Sequence, residues 1–180
     1  MFKISVFKIS IIAVVIVIGA ILIIAATRPA TFRVERSTRI SAPPERIFHY
    51  VNDFHQWGVW SPYEKLDPSM KRTYGGAGAG KGAVYEWDGN SKAGQGRMEI
   101  IESAQPANIV IKLDFIKPFE AHNKVVFTLT PKGDATEVNW AMQGPVPYMA
   151  KIVHVFMDMD GMVGKDFEAG LANLKAVTEK

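Results

Sequence analysis

The chain has 180 residues, no cysteine and a formal charge of +3. Without thiols it has no disulfide frame, thiolate metal site or cysteine nucleophile. Lys3 and Lys8 precede an apolar run; without them 19 basic side chains stand against 18 acidic ones, a net of +1, interleaved along the chain. A duplex requires a clustered basic face, so nucleic-acid binding is not expected.

Ile9 to Thr27 holds nineteen residues and no charge. At ~1.5 Å per residue such a helix crosses the ~30 Å hydrocarbon layer with its backbone polar groups satisfied internally. A cleaved signal peptide is the competing reading. Its apolar core usually runs about 7–15 residues, and Ala25-Ala26-Thr27 imitates a cleavage site poorly. We therefore expect an uncleaved single-pass membrane anchor over residues 1–30 and one domain over 31–180, where about 150 residues suffice for a single core. Lys3, Lys8 and the α-amine flank one end of the run; Arg28, Arg33, Arg36 and Arg39 flank the other. Counted literally, these charges favour a cytoplasmic domain. A short two-lysine tail before a long apolar run instead resembles a bacterial signal anchor, and an extracytoplasmic domain is the expectation taken from it.

Phe32 to Ser41 alternates around Val34, Thr38 and Ile40, which predicts a strand. Ser41-Ala42-Pro43-Pro44-Glu45 then supplies a helix start: a capping serine, proline in the first turn and a carboxylate at the positive helix end. Ile47, Tyr50, Val51 and Phe54 follow on one helical face. His55 to Pro68 is aromatic and broken by prolines, as suits a short irregular helix or lid. Strands follow over Met70–Tyr74, Ala83–Trp87 and Gly96–Glu102, with Asp88-Gly89-Asn90 as a tight turn. The next three strands alternate most clearly: Ile109, Ile111, Leu113 and Phe115; then Val125, Phe127 and Leu129; then Thr136, Val138, Trp140 and Met142. Period-two burial on successive strands predicts an antiparallel sheet with one buried face. After Gly144-Pro145-Val146-Pro147, a helical stripe runs through Ile152, Val155, Phe156, Met159, Val163, Phe167, Leu171 and Leu174, which predicts one long helix. Gly161, Gly164 and Gly170 within it point to a bend or a close approach to the sheet. The fold class is α+β: a curved antiparallel sheet wrapped on a long C-terminal helix, plus the N-terminal transmembrane helix. Curvature leaves space between sheet and helix, where a ligand would sit.

Four stretches give the soluble part a family likeness: Ile40-Ser41-Ala42-Pro43-Pro44-Glu45-Arg46-Ile47-Phe48; Trp57 to Trp60 followed by Ser61-Pro62-Tyr63; Gly80 through Tyr85-Glu86-Trp87, then Gly94-Gln95-Gly96; and Gly164 to Lys175. In this order they resemble the START-like (SRPBCC) superfamily, and within it the polyketide cyclase/dehydrase and lipid-transport group. The resemblance covers Phe32 to Lys175 and implies a helix-grip fold with a hydrophobic cavity. It implies no particular activity, because carriers, sensors and enzymes share the fold.

Several motifs fail. Gly75 to Lys81 nearly spells a phosphate loop, but Gly82 replaces the magnesium-binding hydroxyl and a strand follows instead of a helix. His154, Asp158 and Asp160 lack a completing ligand, so no metal is expected. No Gly-x-Ser-x-Gly elbow is present. Glu120, His122 and Lys124 alternate along a strand as an acid–base row would, yet the same alternation sends them outward and turns Ala121 and Asn123 inward. Tyr85 and His122 are the weak catalytic candidates. Trp57, Trp60, Tyr85, Trp87, Phe115, Asn123, Trp140, Met142 and Met159 are the candidate ligand-binding residues; each bulky one taken singly reads first as core packing and second as a pocket wall made adaptable by methionine, while Tyr85 and Asn123 are the polar groups best placed to orient a head group. Three functions follow: membrane-tethered binding or transport of a hydrophobic, lipid-like or polyketide-like molecule without a cofactor; a polyketide cyclase or dehydratase acting by shaping its substrate; and a non-catalytic membrane-associated interaction module using Val110, Ile116 and Val126 on the outer sheet face. Binding without catalysis is the leading reading.

Overall fold

The computed structural model describes residues 6–180; Lys3, one of the two lysines before the apolar run, lies outside them. Helix α1 (Val6–Thr27) is followed by β1 (Thr31–Ile40), α2 (Pro44–Asn52), two short 3-10 helices (Phe54–Val59 and Pro62–Lys65), β2 (Lys71–Gly76), β3 (Ala83–Asp88), β4 (Gln95–Ala104), β5 (Asn108–Lys117), β6 (Ala121–Lys132), β7 (Ala135–Pro145), α3 (Tyr148–His154) and α4 (Met159–Thr178). Among the described residues one helix, over Lys8–Thr27, is long and apolar enough to span a membrane.

The seven strands form one open antiparallel sheet in the order β1-β7-β6-β5-β4-β3-β2. Chain reversal at each hairpin fixes which ends lie together. Thr31 pairs with Pro145, Lys124 with Gln143, Phe115 with Ala121, Lys117 with Gln95, and Asp88 with both Gln95 and Lys71. The end of the sheet that follows α1 therefore also carries the β3–β4 and β5–β6 connections. We call it the anchor end. The expected alternation is present: Ile109, Ile111, Leu113, Val125, Phe127, Leu129, Val138, Trp140 and Met142 are buried. The outer apolar patch is smaller than the sequence suggests, since Val110 is buried and only Ile116 of its three members is exposed.

Helix α4 crosses the buried face beside β1, running from the anchor end toward Ile40. Arg36 on β1 clamps its start, reaching Asp160 at 3.0 Å and Glu168 at 2.8 Å. Lys175 donates to the Arg39 carbonyl and Glu179 accepts from the Ser41 amide at the other end. Two glycines allow this close approach: a Cβ at Gly164 would lie 2.0 Å from the Arg36 guanidinium, and one at Gly170 would lie 2.6 Å from the Trp140 ring and 3.1 Å from Pro62.

Three expectations are corrected. Ser41 does not cap α2; Pro43 occupies that position with no side-chain cap, and the Ser41 amide is taken by Glu179. The Asp88-Gly89-Asn90 turn is a longer loop, closed by hydrogen bonds between the Gly89 and Gly94 backbones and between the Gly94 amide and the Asn90 carbonyl. The single C-terminal helix is two, because the Asp158 carboxylate accepts from the Gly161 amide at 2.9 Å and starts a new helix there. His154 and Asp158 consequently end one helix and begin another. The stripe through Ile152, Val155 and Phe156 also leaves the core, as α3 packs against α1.

The close approach at Gly170 generates a test. Gly170→Ala gains about 1 kcal/mol of helix propensity but forces a methyl into Trp140, and overpacking costs about 1–3 kcal/mol. Urea unfolding of the full chain in detergent, followed by tryptophan fluorescence, should show a lowered midpoint. A raised midpoint would contradict the packing described.

Candidate functional site

A cavity of about 400 Å³ lies between the sheet and α4. Its walls come from β3 (Tyr85, Trp87), β4 (Met98), β5 (Leu113, Phe115), β6 (Val125), β7 (Trp140, Met142), α4 (Val163, Asp166, Phe167) and the segment holding the 3-10 helices (Trp57, Ser61, Tyr63, Glu64, Leu66), with Met70, Lys92 and Ala93. The volume falls in the ~300–1,000 Å³ range of small-molecule sites. Its strand residues sit toward the anchor end; toward the far end an aromatic layer closes it. Phe167 stacks on Trp140 with ring centroids 4.1 Å apart, and Phe127 lies 5.0 Å from Trp140. The exposed wall residues Leu66, Lys92 and Asp166 mark the opening. Asp67 holds this rim together: its carboxylate accepts from the Asn90 amide at 2.7 Å and the Ser69 hydroxyl at 2.7 Å, joining the 3-10 segment to the β3–β4 loop.

Of the sequence-predicted residues, Trp57, Tyr85, Trp87, Phe115, Trp140 and Met142 line the cavity. Trp60, Asn123 and Met159 do not. Trp60 is fully buried behind the aromatic layer, 4.9 Å from Trp57 and 5.6 Å from Trp140 by ring centroid. Asn123 does face inward as alternation requires, but its amide oxygen rests on the Gly144 backbone. Met159 opens α4 beyond the cavity, half-buried. Ser61, Tyr63, Glu64, Asp166 and Phe167 line it without having been singled out. Phe167 carried a signal in the helical stripe; the others sit on irregular or exposed segments where no period marks an inward side.

The polar chemistry of the wall is sparse. Tyr85 donates to Glu64 at 2.6 Å, and Arg72 pairs with the same carboxylate at 2.7 Å. Burial, then the bond to Glu64, pushes the Tyr85 phenol well above its ordinary range, so it stays protonated. Burial raises Tyr63 similarly, and partial burial at the opening raises the Asp166 carboxyl. The four indoles differ in an informative way. Trp57, Trp60 and Trp87 donate to the carbonyls of Val51, Tyr50 and Ala93, each at 3.0 Å. Trp140 Nε1 and Ser61 Oγ, atoms of two cavity-lining residues, are themselves buried without a hydrogen-bond partner. A buried unpaired polar group costs about 1–3 kcal/mol.

Residues 31–179 match the family described as polyketide cyclase/dehydrase and lipid transport. The chain belongs to this family. No curated protein matches it. Among solved structures it is similar in fold to protein CV1439 from Chromobacterium violaceum, with TM-score 0.58 and 18% identity over 85% of this chain and 99% of that one. The Aha1 dimer from Colwellia psychrerythraea gives TM-score 0.58 and 12% identity over 82% and 96%. The di-domain ARO/CYC BexL of the BE-7585A biosynthetic pathway gives 0.60 and 13% over 88% and 53%. In this polyketide cyclase/dehydrase and lipid transport family chain, Gly94-Gln95-Gly96 has a packing cause. The edge of the Trp87 ring packs against Gly96, where a Cβ would stand 2.4 Å from it, so glycine leaves room for the indole to reach the Ala93 carbonyl and form the cavity wall.

His122 stands on the outer face, with its side chain 60% exposed, Nδ1 2.7 Å from Asp114 and Nε2 3.2 Å from Glu120. The hydrogen bond to Asp114 is the main cause holding its imidazolium above the ordinary 6.5. NMR titration of the ring should therefore place its midpoint above 6.5 and bring it down in Asp114→Asn. A midpoint below 6.5 in the wild type would contradict the outward, carboxylate-paired placement.

Proposed function

We propose that this protein is a membrane-tethered binder or carrier of one hydrophobic small molecule, lipid-like or polyketide-like, with an oxygen that accepts from Trp140. The observation that carries the reading is the apolar hollow, two of whose lining residues, Ser61 and Trp140, hold unpartnered buried polar atoms. Mutual packing would have satisfied or excluded those atoms, as it did for the other three indoles. The volume suits a single-chain or compact polycyclic guest. Tyr63, Tyr85 and Ser61 add hydroxyls around it, and Lys92 at the rim stands where an acidic head group would emerge. Helix α1 keeps the binder on a membrane as a single-pass anchor, with the domain on the extracytoplasmic side. Because the chain lacks cysteine, labelling of Asp134→Cys in intact cells by an impermeant maleimide should occur without lysis; labelling only after lysis would reverse the orientation.

One observation favours the enzymatic alternative. The Tyr85–Glu64–Arg72 row borders the cavity, as a dehydratase acid–base pair would. Its polar groups, however, are committed within the row: Tyr85 donates to Glu64, and Arg72 pairs with the same carboxylate. That arrangement fits a rigid polar wall better than a proton-transfer group. Tyr85→Phe leaving the turnover of an accepted polyketide unchanged would remove this reading.

Displacement of a fluorescent single-chain fatty acid from the full chain in nanodiscs tests the binding proposal. Val125→Phe places a ring in the hollow. It should weaken the probe at least about tenfold, ~1.4 kcal/mol, while leaving the urea midpoint unchanged or raised, because filling a void does not incur the ~1–3 kcal/mol of overpacking. Trp140→Phe should weaken an oxygen-bearing guest by about 0.5–1.5 kcal/mol and leave a pure hydrocarbon unaffected. No probe binding by the wild type, together with a lowered midpoint in Val125→Phe, would overturn the proposal.

A further inference from the structure

The apolar surface that the fold leaves uncovered is concentrated at one end of the domain, although Val59 (53%) on the first 3-10 helix and Ile116 (51%) on β5 are also half exposed. Outside α1, the large apolar side chains at least half exposed include Phe119 (82%), Met149 (72%), Phe156 (69%), Met162 (54%) and Val153 (50%). Phe119 lies in the β5–β6 connection, which the strand register puts at the anchor end. Met149 and Val153 are on α3, and Phe156 and Met162 flank the break between α3 and α4, which also lies at that end. Segments distant in the sequence therefore place exposed apolar side chains at the same end of the domain. Soluble surfaces rarely gather such patches without a partner.

Helix α3 ties that patch to the membrane span. It packs on α1, Tyr148 donates its hydroxyl to the Leu22 carbonyl at 3.0 Å, and Ala25 is fully buried. Leu22 precedes the end of α1 at Thr27 by five residues, about 7–8 Å along the helix axis. The start of α3 thus sits at the depth of the apolar run, not beyond it. A second hollow of about 570 Å³ adjoins this contact, lined by Arg28, Arg33, Lys151 and His154 among others. Arg28, Lys151 and His154 form no ion pair among the described residues. Cations placed beside apolar side chains at the end of a span are the arrangement that an interface of lipid tails and phosphates recognises.

We propose that the anchor end of the domain docks on the bilayer that α1 spans, with Met149, Val153, Phe156 and Phe119 seated among lipid tails and Arg28 and Lys151 at the phosphate level. The cavity opening, marked by Leu66, Lys92 and Asp166, lies at the same end. The guest accordingly enters from the membrane and not from water; this last step rests on the binding reading above, whereas the docking does not.

The chain's lack of cysteine allows single labels. Full-length Met149→Cys, Phe156→Cys and Phe119→Cys, with Asp134→Cys at the opposite end of the sheet as reference, are labelled with an environment-sensitive fluorophore. Each is reconstituted in vesicles of phosphatidylcholine and phosphatidylglycerol. Nitroxide carried high on the acyl chain should quench the first three labels several-fold more than the reference, and aqueous iodide should quench them several-fold less. Iodide quenching equal to that of the reference would overturn the docking. So would labels shielded from both quenchers with cross-linking between chains, since a second copy would then cover the patch. The Met149→Asp, Phe119→Asp double variant should bind a fatty-acid probe supplied from solution as the wild type does, yet load it several-fold more slowly from vesicles. Equal loading rates would overturn membrane entry while leaving the cavity proposal intact.

Discussion

The structure turns on one contact: the Phe167 ring lying flat on Trp140, with Gly170 one turn further along α4 pressed against the same indole. Helix and sheet meet face to face there. On the far side, Phe127, Leu129, Val138, Leu171 and Leu174 fill the space completely. On the anchor side Met98, Leu113, Val125 and Met142 of the sheet are separated from Val163 and Asp166 of α4 by the cavity that all six line. A sheet twists by roughly 20–25° per strand pair, so a straight helix cannot follow it along its whole length. Aromatic stacking decides where contact is made, and the remaining separation becomes the cavity.

The same contact leaves Trp140 without a partner. Phe167 stacks on one face of the indole and Phe127 lies at its side, and its N–H, unlike those of the other three, has no carbonyl partner. An unpartnered buried donor is costly, and the proposed oxygen-bearing guest is the group that would pair with it after a small shift of the ring. The opposite treatment of Tyr85, satisfied by Glu64, makes that part of the wall stiff. Binding specificity in such a hollow comes from shape and from very few polar groups, in keeping with a family whose members are described by both cyclase and lipid-transport activities.

Much of this was legible in the sequence, for reasons that can be named. Strand alternation from Ile109 to Met142 survives because each inward residue must be apolar; that alone places Leu113, Phe115, Trp140 and Met142 correctly and turns His122 outward. The irregular segment from Phe54 to Met70 carries no period, so Ser61, Tyr63 and Glu64 were invisible. Trp60 and Asn123 show the limit of alternation: it reports that a side chain faces inward, not whether it meets the void or the packed layer behind it. The helix break at Asp158 was missed because the apolar spacing of Ile152, Val155 and Phe156 matches a core helix, while their actual neighbours are α1 and the space around it. Apolar periodicity does not distinguish a protein core from another apolar environment.

The decisive quantity is occupancy. Native mass spectrometry of the full chain, released gently from the membrane in which it was made, compares wild type with Val125→Phe. The account predicts one small, oxygen-bearing apolar molecule per wild-type chain and none on the variant. Bare chains in both cases, or identical adducts on both, would contradict it.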